Sequence, residues 1–193
     1  MSLLKSCVFI ILITITFKTS AQIKDSLLKN HQLKVNAKVF GLSLSYEKRI
    51  GKKLTLNSEV GLRSGTGLYL SRYTFSEGLQ ALGFETTLEG RYYYHFKERL
   101  DKKKDIGNNS SNFWSISTTY AFKPFIYPTV LKMYSNQSNY SVISITPSWG
   151  IQRKLGKNFS LETLLGLSLN YFDVTKELVL SPGITVRFGY VIL

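Results

Sequence analysis

The sequence predicts an all-β fold, an eight-stranded antiparallel transmembrane β-barrel wound as an up-and-down meander. Three observations predict it. Segments of about ten residues alternate apolar and polar side chains with a period of two, which is the repeat of a strand. In the stretch GFETTLEGRYYYHF, Gly83 to Phe96, Glu85, Glu89, Arg91 and His95 all fall on one phase, and Phe84, Leu88, Tyr92, Tyr94 and Phe96 on the other. Beyond residue 21 no convincing helical repeat interrupts this pattern.

The chain has 193 residues, with 25 Lys plus Arg against 12 Asp plus Glu. That length suits one domain. Lys5, the apolar run Val8 to Phe17 and the small residues up to Ala21 have the order of a secretory leader, so residues 1–21 are expected to be cleaved. The run is too short to span a bilayer as a helix, which takes roughly 20 apolar residues. Cys7 is the only cysteine and precedes the apolar run, so a lipid anchor at a cysteine is not expected. Thiol catalysis and cysteine metal sites are excluded from the exported chain, and neither a metal nor a cofactor is expected.

Residues 22–33 are polar and without period, and are expected to form a flexible lead. The first strand is expected over Lys34 to Arg49, with Phe40, Leu42, Leu44 and Tyr46 opposite Ser43, Ser45 and Glu47. Ile50-Gly-Lys-Lys53 is a tight turn. Leu54 to Arg63 repeats the split, with Leu56, Val60 and Leu62 opposite Asn57, Glu59 and Arg63. Leu68 to Phe75 is a weaker strand, needed to reach eight, and Gly83 to Phe96 follows the loop Ser76 to Leu82. Lys97 to Asn112 is a basic, polar connection. Phe113 to Phe122 sets Trp114, Ile116 and Tyr120 opposite Ser115 and Ser117. Lys123 to Asn139 is a long loop. Ser141 to Arg153 carries Trp149 on its apolar side, and Pro147 at its middle predicts a bulge. Phe159 to Tyr171 and Leu180 to Ile192 complete the set, with Glu162 and Arg187 on their polar sides and Phe188 and Tyr190 on the apolar side of the last.

An even strand number puts both termini on one side of the membrane. Lys97 to Asn112 then lies with the termini, and Lys123 to Asn139 and Tyr171 to Leu178 lie outside the cell. The short Gly51 turn also falls outside, where longer loops are usual. If Leu68 to Phe75 is not a strand, the topology inverts or another strand hides near the N-terminus.

Alternation alone also fits a soluble, lipocalin-like ligand binder with an apolar interior. Against that, no lysine occurs from Leu54 to Phe96, whereas a soluble barrel shows water a lysine-rich wall. The polar side is built of small residues and pairable charges, as a narrow lumen requires. Aromatics crowd the strand ends of the apolar side, as girdles at membrane interfaces do: Tyr46, Tyr92, Tyr94, Phe96, Trp114, Tyr120, Trp149, Phe188 and Tyr190.

The leader, the alternating strands and the aromatic last strand resemble the small outer-membrane β-barrel proteins of Gram-negative bacteria. Within these, Arg91-Tyr-Tyr-Tyr-His-Phe-Lys97 with the following basic turn, and Thr146-Pro-Ser-Trp-Gly-Ile-Gln-Arg-Lys-Leu-Gly156, carry the resemblance. It implies location in the cell outer membrane, contact with outer-membrane lipid and lipopolysaccharide, and barrel assembly machinery as a partner during biogenesis. The terminal aromatic of such barrels is displaced here, in Phe188-Gly-Tyr190-Val-Ile-Leu193.

The lumen charge network is expected to comprise Glu47, Glu59, Glu85, Glu89 and Glu162 with Arg63, Arg91 and Arg187. One reading is a plug of salt bridges; the other is a proton or ion path through a narrow channel. Eight strands leave an interior just filled by side chains, which favours the plug. A lipid-modifying barrel enzyme would need a nucleophile, a base and an acid. Only His31 and His95 carry imidazole, and His95-Phe-Lys97 is not the His-x-Ser pattern of such a deacylase. The basic run Lys97 to Lys104 suits a solvated turn or a contact with anionic headgroups; nucleic acid is not expected outside the cytoplasm. The expected function is structural or adhesive, without enzymatic activity. Any extracellular ligand would meet the loops Leu68–Leu82 and Lys123–Asn139.

Overall fold

The computed structural model describes residues 28–39, 41–65, 81–126 and 141–193. Period-two segregation of side chains leaves one apolar and one polar face on each segment, and the chain closes on itself so that neither face has an open edge. The strands are β1 His31–Lys38, β2 Gly41–Arg49, β3 Leu54–Gly65, β4 Ala81–Tyr93, β5 Asn112–Ala121, β6 Val142–Leu155, β7 Phe159–Phe172 and β8 Leu178–Val191. They form one closed barrel in sequence order, every neighbouring pair antiparallel, with β1 also pairing β8. A row of laterally paired residues runs Val35, Leu44, Val60, Thr86, Tyr120, Ile143, Tyr171, Leu178. It starts at the middle of β1 and reaches the first residue of β8, so the strands are inclined to the axis.

The wall is inverted relative to a soluble barrel. Leu88 is 41% exposed and Leu165 47%, whereas Arg91 and Glu89 are each 1% exposed. Outward positions carry Val35, Leu42, Leu44, Val60, Phe84, Ile116, Ile145, Leu167 and Ile184. Among the described strands, the only Lys or Arg on this phase are Lys48 and Arg153, both beside a strand end.

Eight strands are reached without Leu68–Phe75, which lies outside the described residues, as does Phe40. The eighth strand comes from the segment read as one piece from Lys34 to Arg49. There Lys38 pairs with Gly41, leaving a two-residue hairpin. Val39 and Phe40 lack the Asn-Gly or Asp-Gly chemistry that marks such turns, so the bend left no compositional trace. Gly41 has φ +151°, and a Cβ there would lie 2.0 Å from the Leu62 carbonyl oxygen, so only glycine fits. The extra strand also moves the Gly51 turn to the end that holds both termini. That end now carries the turns after β2 and β6 and the connection 94–111, while β3, β5 and β7 end at the other.

Three further expectations are corrected. The lead is not featureless to residue 33: Leu28 is buried and β1 begins at His31. A short helix, α1 Phe96–Asp101, follows β4, where the strand was expected to run on to Phe96. Phe96 therefore leaves the outer wall and packs inward, 5.4 Å from Tyr93 between ring centroids. Pro147 makes no bulge. The β6–β7 register is unchanged from Ile145↔Leu169 to Ser148↔Gly166, and Pro147 still pairs Ile116 in β5. The missing N–H removes a ladder bond without requiring an extra residue, and Thr146 Oγ1 meets Ser168 Oγ at 2.8 Å beside it.

Inward glycines make room for large lumen side chains. A Cβ at Gly150 would lie 2.4 Å from the Phe113 ring, whereas at outward Gly90 it would meet nothing within 4 Å. Gly150→Leu should lower the unfolding free energy measured in urea by about 1–3 kcal/mol from overpacking, and Gly90→Ala should leave it unchanged. Equal effects at both positions would contradict this packing.

Candidate functional site

The chemistry of the described chain is concentrated inside the barrel, where alternate residues of six strands meet. Arg91 of β4 is its centre. Its guanidinium donates to both carboxylate oxygens of Glu162 on β7, each at 3.0 Å, and to Glu89 at 2.6 Å. Bidentate pairing of this kind fixes direction as well as charge. Glu47 of β2 lies 3.7 Å from the same guanidinium and accepts from Thr55 Oγ1 and the Tyr93 hydroxyl, both at 2.7 Å. Arg187 of β8 pairs with Glu162, its cross-strand neighbour, and lies 3.5 Å from Glu59. The Arg91 guanidinium also rests over the Phe113 ring, 4.9 Å from its centroid.

Two lumen cations were not anticipated. Lys34 lies 3.5 Å from Glu162 and 3.8 Å from Glu47; Lys38 pairs with Glu59 and lies 2.6 Å from Glu85. Both belong to β1. Reading β1 and β2 as one strand put Lys34 and Lys38 on the phase of Leu42 and Leu44; the hairpin reverses that phase. With them the bases engaged with the five carboxylates number four, Lys34, Lys38, Arg91 and Arg187, so the excess of acids is small. Arg63, on the inward phase of β3, is half-buried toward the loop end and pairs with none of these carboxylates.

Apolar clusters lie on either side of the ion layer, and toward the loop end inward Thr87, Thr119, Ser144, Ser168, Asn170 and Thr185 are only half-buried. Toward the termini, Leu28, Tyr93, Phe96, Phe113 and Leu164 form one, with Ile106 against it. The connection 94–111 folds into this mouth: Asn108, Asn109, Ser110 and Ser111 are buried, and Gln152 Nε2 donates to the Asn108 carbonyl at 2.6 Å. Asn108 and Asn109 have φ of 51° and 56°, a conformation asparagine tolerates better than most side chains. The run Gly-Asn-Asn-Ser-Ser-Asn, which reads as a plain polar turn, is thus a stopper. Asp105 anchors it from outside; the Gly107 N–H and then Lys154 hold its carboxyl below the usual range. At the other mouth Ala121, Val142 and Phe172 form the second cluster.

Of the aromatics expected at an interface, Tyr46, Tyr92, Trp114, Phe188 and Tyr190 are exposed on the outer wall toward the terminal end, and Tyr120 toward the loop end. Trp149 and Tyr94 are half-buried, joined by a 2.6 Å bond from Trp149 Nε1 to the Tyr94 hydroxyl. Phe96 is the exception already described. His95 stands outside the lumen, its Nε2 2.7 Å from Glu98 and its ring 4.4 Å from Tyr94; neither partner is a serine nucleophile.

Compared with models of known protein families, with curated proteins and with solved structures, the chain matches none.

The layer is a mutually dependent set of buried ions. Removing one partner of a buried pair leaves an uncompensated charge, at about 3–5 kcal/mol. Arg91→Met should destabilise the folded barrel by that much in urea titrations, and adding Glu162→Gln should recover part of the loss. If Arg91→Met proves neutral, the ion layer does not hold the barrel together.

Proposed function

We propose that the chain is an integral barrel of the bacterial outer membrane, acting as a non-catalytic structural or surface-contact protein. One observation carries this reading: the outer wall is apolar, while the ions lie at the axis. Water would be a poor solvent for a wall that exposes Leu42, Leu44, Ile116, Leu165, Leu167 and Ile184. Hydrocarbon would be a good one, because every strand already has both neighbours and leaves no unpaired edge. Among the described residues no helix is long and apolar enough to cross a membrane, so the crossing would be made by strands.

The even strand number supports an orientation. Both termini share one end with the turns 50–53 and 156–158 and the connection 94–111, while the two-residue hairpin after β1 lies opposite. In barrels of even strand number the shared end faces the periplasm. The aromatic belt of Tyr46, Tyr92, Trp114, Phe188 and Tyr190 would then mark the periplasmic interface. Cleavage of residues 1–21 and insertion by the barrel assembly machinery belong to the same proposal, as do lipopolysaccharide and phospholipid as the surroundings. The loops 66–80 and 122–141 lie mostly outside the described residues; as the longest connections at the outer end they would make any contact beyond the cell.

Filled ion and apolar layers speak for a plug and against a conducting bore. Planar bilayers holding the protein should show no discrete conductance steps; regular steps would favour the narrow channel. His95→Ala should leave membrane lipid composition unchanged, and an altered acyl-chain profile would favour the lipid-modifying enzyme.

Fractionated cells should yield the protein in the outer-membrane pellet, with gel mobility that changes on boiling. Leu165→Lys should weaken folding into vesicles by about 2–4 kcal/mol, the cost of lysine near the midplane of a barrel's lipid face. Recovery in the soluble periplasmic fraction, or a neutral Leu165→Lys, would overturn the membrane reading.

A further inference from the structure

A cleft of about 180 Å³ opens beside α1 at the terminal end, lined by His95, Glu98, Arg99, Lys102, Lys104 and Arg153 among others. Its charges do not balance. Glu98 is the carboxylate in the cleft, and it engages His95 at 2.7 Å and Lys102 at 3.6 Å. Arg153 donates to neutral groups, the Gln152 carbonyl and Asn112 Oδ1, each at 2.7 Å. Arg99 donates to the Asp105 carbonyl at 2.7 Å, and its Nε is buried without a hydrogen-bond partner. Two guanidiniums thus face one cleft, neither in a salt bridge among the described residues, although the Asp105 carboxylate is near enough to feel Arg99. They are close enough to repel, with exposed Lys104 adding to the excess. Guanidinium geometry suits a phosphate oxygen pair.

The position of the cleft selects the source of that phosphate. Asn112 and Arg153 lie on the outward phase of β5 and β6, where the same faces carry Trp114, Trp149 and Ile151 toward the barrel middle. Trp114 and Trp149 are cross-strand partners. An acyl chain lying on this apolar strip would bring its headgroup to Arg153 and Arg99. A free anion would have no use for the strip.

We propose that this cleft binds the phosphodiester of an anionic glycerophospholipid in the leaflet at the terminal end, with Arg99 and Arg153 as its ligands and Trp114 and Trp149 beneath its chains. The proposal rests on the membrane reading above. It assigns to the basic run after β4 a specific lipid contact in place of general solvation.

The chain's two tryptophans are Trp114 and Trp149, so their fluorescence reports this site. The full-length exported protein is refolded into phosphatidylcholine vesicles containing acyl-brominated phosphatidylglycerol or, separately, acyl-brominated phosphatidylcholine at equal mole fraction. The wild type should associate with the anionic quencher about fivefold more strongly, the gain one such cation gives near a membrane surface. Arg99→Gln with Arg153→Gln should bring the ratio close to one, whereas Lys123→Gln, at the opposite end, should preserve it. Inserted protein without a preference, or a preference that survives the double substitution, overturns the site alone. Loss of the preference on adding inorganic phosphate, but not chloride at equal ionic strength, overturns the lipid as source in favour of a soluble anion. If the protein neither floats with the vesicles nor is quenched by either lipid, the membrane reading fails first and this inference falls with it.

Discussion

The Arg91–Glu162 pair is the interaction on which the rest of the barrel depends. It joins β4 to β7 across the lumen, and Glu47, Lys34 and Arg187 attach β2, β1 and β8 to the same two side chains. Ions so buried demand partners at close range, because desolvation costs several kcal/mol per charge. A slip of one residue in any contributing strand would turn its ion onto the outer wall and an aliphatic side chain into the layer. The polar centre thus specifies register, a task an apolar core performs in soluble barrels.

From that constraint the remaining architecture follows. Filling the bore with large side chains requires glycine where one of them presses on the facing strand, as at Gly150 beside Phe113. Ions held in a narrow space need shielding from water, and at the terminal mouth the apolar cluster with the Asn108–Asn109 stopper supplies it. The apolar wall is suited to lipid, the cationic cleft at the terminal rim to phosphate.

Much of this was legible in the sequence, because period two is a direct readout of which side faces which environment. Glu47, Glu59, Glu85, Glu89, Arg91, Glu162 and Arg187 could be brought together from phase alone. The number eight comes in the sequence from counting Leu68–Phe75, with parity in support, and is met instead by β1. The failures share one cause: phase is informative only while the strand continues. At Val39 the chain reverses without a turn residue to mark it, so Lys34 and Lys38 were assigned to the wrong side and β1 went unseen. After Tyr93 the strand ends, and Phe96, though on the apolar phase, turns inward within α1. The stopper was invisible for a related reason, since polar residues that fill a polar mouth look like those that face water. Pro147 failed differently: losing one ladder bond does not oblige a strand to shift register.

The central claim is that alternate residues of one strand sit in two different solvents, hydrocarbon and a charged lumen. The most direct test uses single cysteines at positions 84 to 88 of β4, Phe84, Glu85, Thr86, Thr87 and Leu88, each carrying a nitroxide in the vesicle-inserted exported chain; the native sequence has no cysteine beyond Cys7. Collision rates with dissolved oxygen, which concentrates in hydrocarbon, should be high at 84, 86 and 88 and low at 85 and 87. Rates that do not alternate, or that peak at 85 and 87, would contradict the account.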